Sequence, residues 1–167
     1  QLFMDPMDPR ARHEVGITGV PVWSSLPMRE LTDGIDLAKA NWSMTINASA
    51  TALLAMYVVE AQRRGIPLDF LVGTTQNNIV KEILGRGNYV FPPEASMRLE
   101  TDLGAYALGN VPNWRWTNVC GYHISETGAE TDPILEIAIT MEMALTSLRW
   151  LRPKVSADDF AVAAGSI

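Results

Sequence analysis

Short apolar, β-branched runs that alternate with longer stretches of helical spacing constrain this chain more than any other feature of its sequence. The runs fall at residues 17–22, 42–46, 70–74 and 116–121. Between them, Thr51, Leu54, Ala55, Val58 and Val59 repeat at helical spacing up to Arg64-Gly65, with Asn47 or Ser49 placed to cap the start. A second helix is expected from about 77 to 84, ended by Gly85 and Gly87, and a third from about 94 to 108 after Pro92-Pro93. A fourth starts after Thr131-Asp132-Pro133 and reaches about Leu151, while Ser24-Ser25-Leu26-Pro27 marks a short one near the beginning. A fifth strand is expected at 160–164. Strands joined through helices pair in parallel, and short apolar strands suit a sheet covered on both faces.

Such a sheet closes as a doubly wound layer or as a (β/α)₈ barrel. The glycine-rich GxGxxG turn that would favour the first is absent. A barrel takes roughly 250 residues, so 167 residues supply four or five of its eight units. The expected fold is therefore α/β: one partial (β/α) barrel domain of TIM type over residues 1–167. The start at Gln1-Leu2-Phe3, without Met, reads as a processed or truncated product.

The net charge of −6 disfavours a nucleic-acid partner, and Arg63-Arg64 reads as a solvated helix end rather than a phosphate patch. A single cysteine, Cys120, leaves no internal disulfide and no CxxC zinc framework, so a reducing, cytoplasmic compartment is expected. No apolar run reaches the roughly 18 residues of a membrane span, and the first residues show no basic n-region with a cleavage site.

The polar residues recur at one place in the unit. Thr45 and Asn47 follow the second run, Thr74, Thr75 and Gln76 the third, and Tyr122 and His123 the fourth. In a parallel α/β fold these strand ends share the face that carries the site. Asn47 and Asn78 also suit helix caps; Gln76 and His123 are poorer caps. His123 can be a core histidine, a donor to substrate or half of a nucleophilic pair. A local dyad with Cys120 is disfavoured, because residues three apart on a strand point to opposite faces. Metal binding by His123 lacks partners, since His13 is far away in sequence. Arg86 either answers a helix dipole or offers its planar fork to a carboxylate. Trp114 and Trp116, flanking Arg115, either pack in the core or stack a nucleobase. Met56, Tyr57, Met97, Tyr106, Met141 and Met143 read as core.

Several motifs in this order resemble the large, catalytic chain of the methylmalonyl-CoA mutase family. They are Ser43-Met44-Thr45-Ile46-Asn47, Gly73-Thr74-Thr75-Gln76-Asn77-Asn78-Ile79-Val80-Lys81-Glu82, Tyr89-Val90-Phe91-Pro92-Pro93-Glu94-Ala95-Ser96-Met97-Arg98, and Gly121-Tyr122-His123 with Glu126, Gly128 and Ala129. The opening Asp5-Pro6-Met7-Asp8-Pro9-Arg10 and Glu14-Val15-Gly16 also look like it. The resemblance implies a barrel that threads an acyl-CoA along its axis and works with adenosylcobalamin, held mainly by a separate domain. It implies that His123 donates to the thioester carbonyl, that Gln76 and Tyr122 line the radical pocket, and that Thr74 and Thr75 contact substrate. It further implies that Arg86 pairs with the free carboxylate of a dicarboxylic substrate, and that Ser43, Thr45 and Asn113 complete the substrate-contacting set. No metal ligand in the barrel is implied.

Some positions depart from that pattern. Asn78 replaces an acid, Ser125 a glutamine, and Asn113 stands where a CoA-contacting lysine is usual. Ala161-Val162-Ala163-Ala164 stands in place of Pro-Arg-Leu-Ser. The cobalamin motif Asp-x-His-x-x-Gly is absent; His13-x-x-Gly16 has Ala11 where Asp should be and reads as coincidence. The expectations are thus a mutase barrel segment completed by a partner chain or by self-association, or a non-catalytic acyl-CoA-binding or assembly module.

Overall fold

Parallel pairing organises the molecule. In the computed structural model, which describes residues 2–126 and 132–167, strands β1 (Asn41–Thr45), β2 (Val72–Gln76) and β3 (Trp114–Arg115) form one sheet in that order. Ser43 pairs with Thr74 and Thr45 with Gln76 across β1 and β2, and Thr74 pairs with Arg115 across β2 and β3. Seven α-helices accompany it: α1 (Ser25–Leu31), α2 (Ala50–Arg63), α3 (Ile79–Lys81), α4 (Pro93–Asn110), α5 (Tyr122–Glu126), α6 (Pro133–Leu151) and α7 (Ala157–Ala164). Gly128, Ala129 and Thr131 lie outside the described residues.

One face of the sheet is buried under α2 and α4. Met44, Leu54, Tyr57, Leu103, Trp114 and Trp116 form its core, and the Tyr57 ring sits 5.3 Å from Trp42 and 5.5 Å from Trp114. Gly73 makes this packing possible. A Cβ there would lie 2.3 Å from the Trp42 carbonyl oxygen and 2.5 Å from the Trp114 ring.

The helix boundaries follow local chemistry. Asp132 caps α6 through the Ile134 amide, with Pro133 opening the helix. Asn78 caps α3 by accepting from the Lys81 amide at 3.2 Å, whereas Asn47 and Ser49 make no side-chain cap. After Lys81 the backbone widens into a π turn, Glu82–Arg86, and Gly87 ends it at φ +79°. Arg63 and Arg64 both bind Glu60, and Arg64 also ties to the Thr32 and Ile35 carbonyls, so Arg64 is a structural anchor rather than the solvated helix end expected.

The strand count is lower than expected. Residues 17–22 form no strand; Val15 and Gly19 make one isolated bridge, and Ile17 and Val20 face solvent. Gly16 turns through positive φ, and Pro21 lacks the N–H a ladder needs. The fourth run pairs only at Trp114–Arg115, ahead of its expected position. The fifth is helix α7: Ser156 accepts from the Asp159 amide, Asp158 and Asp159 occupy the first turn, and alanines follow. That Ser-x-x-Asp start is a helix signal which outweighs a short apolar run. Among the described residues three parallel strands are present, not four or five. Among the described residues no helix is long and apolar enough to cross a membrane.

Candidate functional site

Register places the candidate residues. Side chains two apart on a strand share a face, so Ser43, Thr45, Thr74, Gln76 and Arg115 lie together on the side away from α2 and α4. Ser43, Thr45 and Arg115 are exposed, and Thr74 and Gln76 partly so. The interior of an ordinary TIM barrel is filled by branched apolar residues. A face of hydroxyls, a carboxamide and a guanidinium cannot form such a dry core. It suits a polar or ligand-filled space.

Thr75 does not belong to this face. It points into the helix-covered side, fully buried, and its hydroxyl donates to the Trp116 carbonyl at 3.1 Å. Asn113 precedes β3 at the other end of the sheet and donates to the Asp69 carbonyl at 2.6 Å. Arg115 joins this face apart from its tryptophans, not as a stacking unit with them. Its flanking Trp114 and Trp116 are core, and that Trp-Arg-Trp alternation is the signal that sends the arginine to the opposite side.

At the C-terminal end the Gln76 carboxamide donates to the Cys120 thiol at 3.0 Å, and the thiol donates onward to Asn118 at 3.0 Å. The Gln76 Oε1 and Thr74 Oγ1 atoms are buried and unpartnered. Gly121 then lets the chain pass α6, because a Cβ there would lie 2.0 Å from the Thr140 hydroxyl oxygen. Tyr122 and His123 follow in helix α5 rather than on a strand, their rings stacked at 4.0 Å. Tyr122 is half exposed. His123 is buried and its Nδ1 has no partner among the described residues.

Electrostatics at this end favour a neutral imidazole. Burial lowers the His123 pKa below 6.5, and the nearby charges of Lys81 and Arg86 lower it further; a hydrogen bond to the Cys120 backbone and the charge of Glu126 pull the other way. Burial likewise lowers the Lys81 pKa and raises that of Glu82. Arg86 stands 3.6 Å from Glu82, too long for a hydrogen bond, and its Nη1 is otherwise unpartnered. Its fork keeps the capacity to bind a carboxylate. A cobalamin would meet the exposed Tyr122 ring here, whereas the Gln76 oxygen is buried beneath the surface, and neither residue is a cobalt ligand. Among the described residues no group of three His, Cys, Asp or Glu side chains stands ready for a metal.

Comparison with known proteins agrees with the motifs. The methylmalonyl-CoA mutase family profile matches residues 1–163. The chain is similar to ethylmalonyl-CoA mutase of Cereibacter sphaeroides, 44% identical over all of this chain and 25% of the relative. It is 45% identical to ethylmalonyl-CoA mutase of Methylorubrum extorquens over 95% of this chain and 23% of that protein. With a probable methylmalonyl-CoA mutase large subunit of Mycobacterium tuberculosis it shares 40% identity over 94% of its own length and 21% of the other's. The chain spans about a quarter to a fifth of the length of these relatives. With the family profile matched across nearly its whole length, the chain belongs to the methylmalonyl-CoA mutase family.

Proposed function

We propose that this chain is a segment of the acyl-CoA-binding barrel of an adenosylcobalamin-dependent mutase that rearranges the carbon skeleton of a dicarboxylic, methylmalonyl-type acyl-CoA. The observation that carries this reading is the order of polar groups along the open sheet face. Asn113 lies at one end, Ser43, Thr74 and Arg115 in the middle, and Thr45 and Gln76 at the other end, which Cys120 links towards His123. A five-residue strand spans about 16 Å, so the face suits a long thin ligand lying along it. Asn113 and Arg115 would meet the nucleotide end, and Ser43, Thr45 and Thr74 the pantetheine amides. Thr75 would serve the sheet.

Each residue then has a physical task. His123, buried and neutral, would donate to the thioester carbonyl oxygen, and one such donor is worth roughly 3 kcal/mol where charge builds up. Arg86 would bind the free carboxylate bidentately, holding the substrate against Gln76 and Tyr122. Adenosylcobalamin, when bound, supplies the radical by cobalt–carbon homolysis. The barrel residues orient the substrate and keep water and stray hydrogen donors away. The Asn118 contact turns the Cys120 S–H away from Gln76.

The remaining barrel units, a cobalamin-binding domain or subunit, and closure by a partner chain or by self-association complete the assembly. Exposed Ile134, Leu135, Ile137 and Met141 on α6 offer an apolar surface for them. A reducing, cytoplasmic setting suits the free thiol. Isotope-traced conversion of methylmalonyl-CoA to succinyl-CoA by the full-length protein tests the reading, and unchanged turnover in His123→Ala would overturn its catalytic claim. A non-catalytic binding module is the second reading, motivated by helix α7 at the position of the missing Pro-Arg-Leu-Ser. Calorimetry separates the two: acyl-CoA binding without turnover in the completed assembly favours the module.

A further inference from the structure

Behind the open face, between the turns that follow β1 and β2 and helix α4, lies a narrow polar cleft lined by Asn47, Thr51, Asn77, Ser96 and Glu100. Its polar groups divide sharply. The Thr51 hydroxyl donates to the Leu99 carbonyl and the Ser96 hydroxyl to the Phe91 carbonyl, so both are committed. Among the described residues, the entire carboxamides of Asn47 and Asn77 and the Glu100 Oε2 atom are buried with no partner, while the Ile79 amide lies near enough to favour the ionised Glu100 carboxyl. Asn47, Asn77 and Glu100 are 2%, 4% and 3% exposed. Buried polar atoms are almost always hydrogen-bonded, so three such side chains around one cleft indicate a guest.

The inventory identifies it. The unpartnered groups are two NH₂ donors, two amide oxygens that accept, and one carboxyl oxygen that accepts when ionised and can donate when protonated. A cation would serve the oxygens and be repelled by the NH₂ groups. A water molecule accepts twice and donates twice, and the free space is the size of one water.

The cluster is also the hub of a wider network. Glu100 Oε1 accepts from Thr117 at 3.1 Å and from Ser147 at 2.8 Å, and Ser147 accepts from Asn78 at 3.2 Å. It therefore ties α4 and α6 to the turn after β2 and to the chain beyond β3. Asn77 directly follows Gln76, and Asn47, held at φ +51°, lies two residues beyond Thr45.

We infer that Asn47, Asn77 and Glu100 close around one ordered water, and that this cluster, with Glu100 at its hub, positions the turns carrying Thr45 and Gln76 for acyl-CoA binding. The positioning half rests on the function proposed above; the water site does not. Crystallography of the full-length protein, at a resolution that shows ordered water, should reveal one peak within hydrogen-bond distance of all three side chains. An empty cleft, or an ion touching oxygens alone, overturns the site.

Calorimetry with methylmalonyl-CoA tests the positioning. Glu100→Gln keeps the acceptor for Thr117 and Ser147 and should bind within about twofold of the parent, whereas Glu100→Leu should bind about tenfold more weakly. Asn77→Ala carries the same tenfold expectation should Glu100→Leu not fold. Parental affinity in both Glu100→Leu and Asn77→Ala overturns the positioning role. Absence of binding by the parent sinks the proposed function instead, and the density alone then judges the water site.

Discussion

The two faces of the β1–β2–β3 sheet carry neighbouring residues of the same strands, yet they obey different physics. On the helix-covered side Met44, Trp114 and Tyr57 interlock around Gly73, and even the polar residue there, Thr75, spends its hydroxyl on the Trp116 carbonyl. On the open side Ser43, Thr45, Thr74, Gln76 and Arg115 form no apolar core, and the buried Thr74 hydroxyl and Gln76 oxygen lack partners. The first face is closed by packing, with only the Tyr57 hydroxyl and the Trp114 indole N–H left unpartnered among its described residues. The second leaves its polar side chains uncovered by any described helix, as the proposed ligand-binding role requires. Substitutions should therefore divide by face, into those that cost stability and those that cost binding or turnover.

The largest effect is expected at His123, at the end of the open face. In the full-length mutase, His123→Ala should lower turnover of methylmalonyl-CoA by about 100- to 1000-fold, the range for losing one well-aimed donor to a developing oxyanion. Acyl-CoA affinity should change far less. A variant that loses affinity and turnover equally would place His123 with the residues that merely hold the ligand.

The packed side holds the matching prediction in pH. Burial raises the Glu100 pKa from 4.5 to about 7, against the hydrogen bonds from Ser147, Thr117 and the Ile79 amide and the nearby charge of Lys81. The folded state thus keeps a proton that the unfolded chain has already released. Stability falls as pH rises: the cost is absent below about pH 4.5 and complete above about pH 7, roughly 3 kcal/mol in all. Urea unfolding across this window should show Glu100→Gln gaining on the parent as pH rises. Parallel pH profiles for the two proteins would show that Glu100 ionises normally.

Gly73 comes next. Gly73→Ala forces a methyl group against the Trp42 carbonyl and the Trp114 ring, and such overpacking costs about 1–3 kcal/mol. The loss should appear as a lower melting temperature. Acyl-CoA affinity of the folded fraction should hold, because the methyl points away from the open face; lost affinity at unchanged stability would erase the distinction between faces.

Much of this division is legible in the sequence, and where it is not the reasons are local. Period-2 reading places Thr74 and Gln76 together and Thr75 opposite, but only once the strand is known to run from Val72 to Gln76. The apolar run itself ends at Thr74, which groups Thr75 with its neighbours, whereas the strand continues to Gln76. The Trp-Arg-Trp run suggests a stacking unit, although alternation separates Arg115 from its tryptophans. Residues 160–164 look apolar enough for a strand, yet Ser156 and the two aspartates set a helix two turns long. The Glu100 cluster could not be read from sequence at all. It joins residues 47, 77, 100, 117 and 147, which share no motif and meet only through tertiary packing.

The smallest effect gives the sharpest comparison, because it sets two adjacent threonines of β2 against each other. Valine matches threonine in shape and removes only the hydroxyl. In Thr75→Val the Trp116 carbonyl loses the threonine's donated hydrogen bond, and stability should fall by about 1 kcal/mol. In Thr74→Val the lost hydroxyl had no partner within the chain, so removing it leaves nothing newly unsatisfied, and stability should stay within about 0.5 kcal/mol or rise slightly. Binding should show the reverse order, with Thr74→Val several-fold weaker for acyl-CoA, about the worth of one neutral hydrogen bond, and Thr75→Val unchanged. Melting curves and calorimetry on the same two variants check both halves. If Thr74→Val is instead the destabilised variant, the Thr74 hydroxyl already has a use within the fold, and the open face loses its claim to be waiting for a ligand.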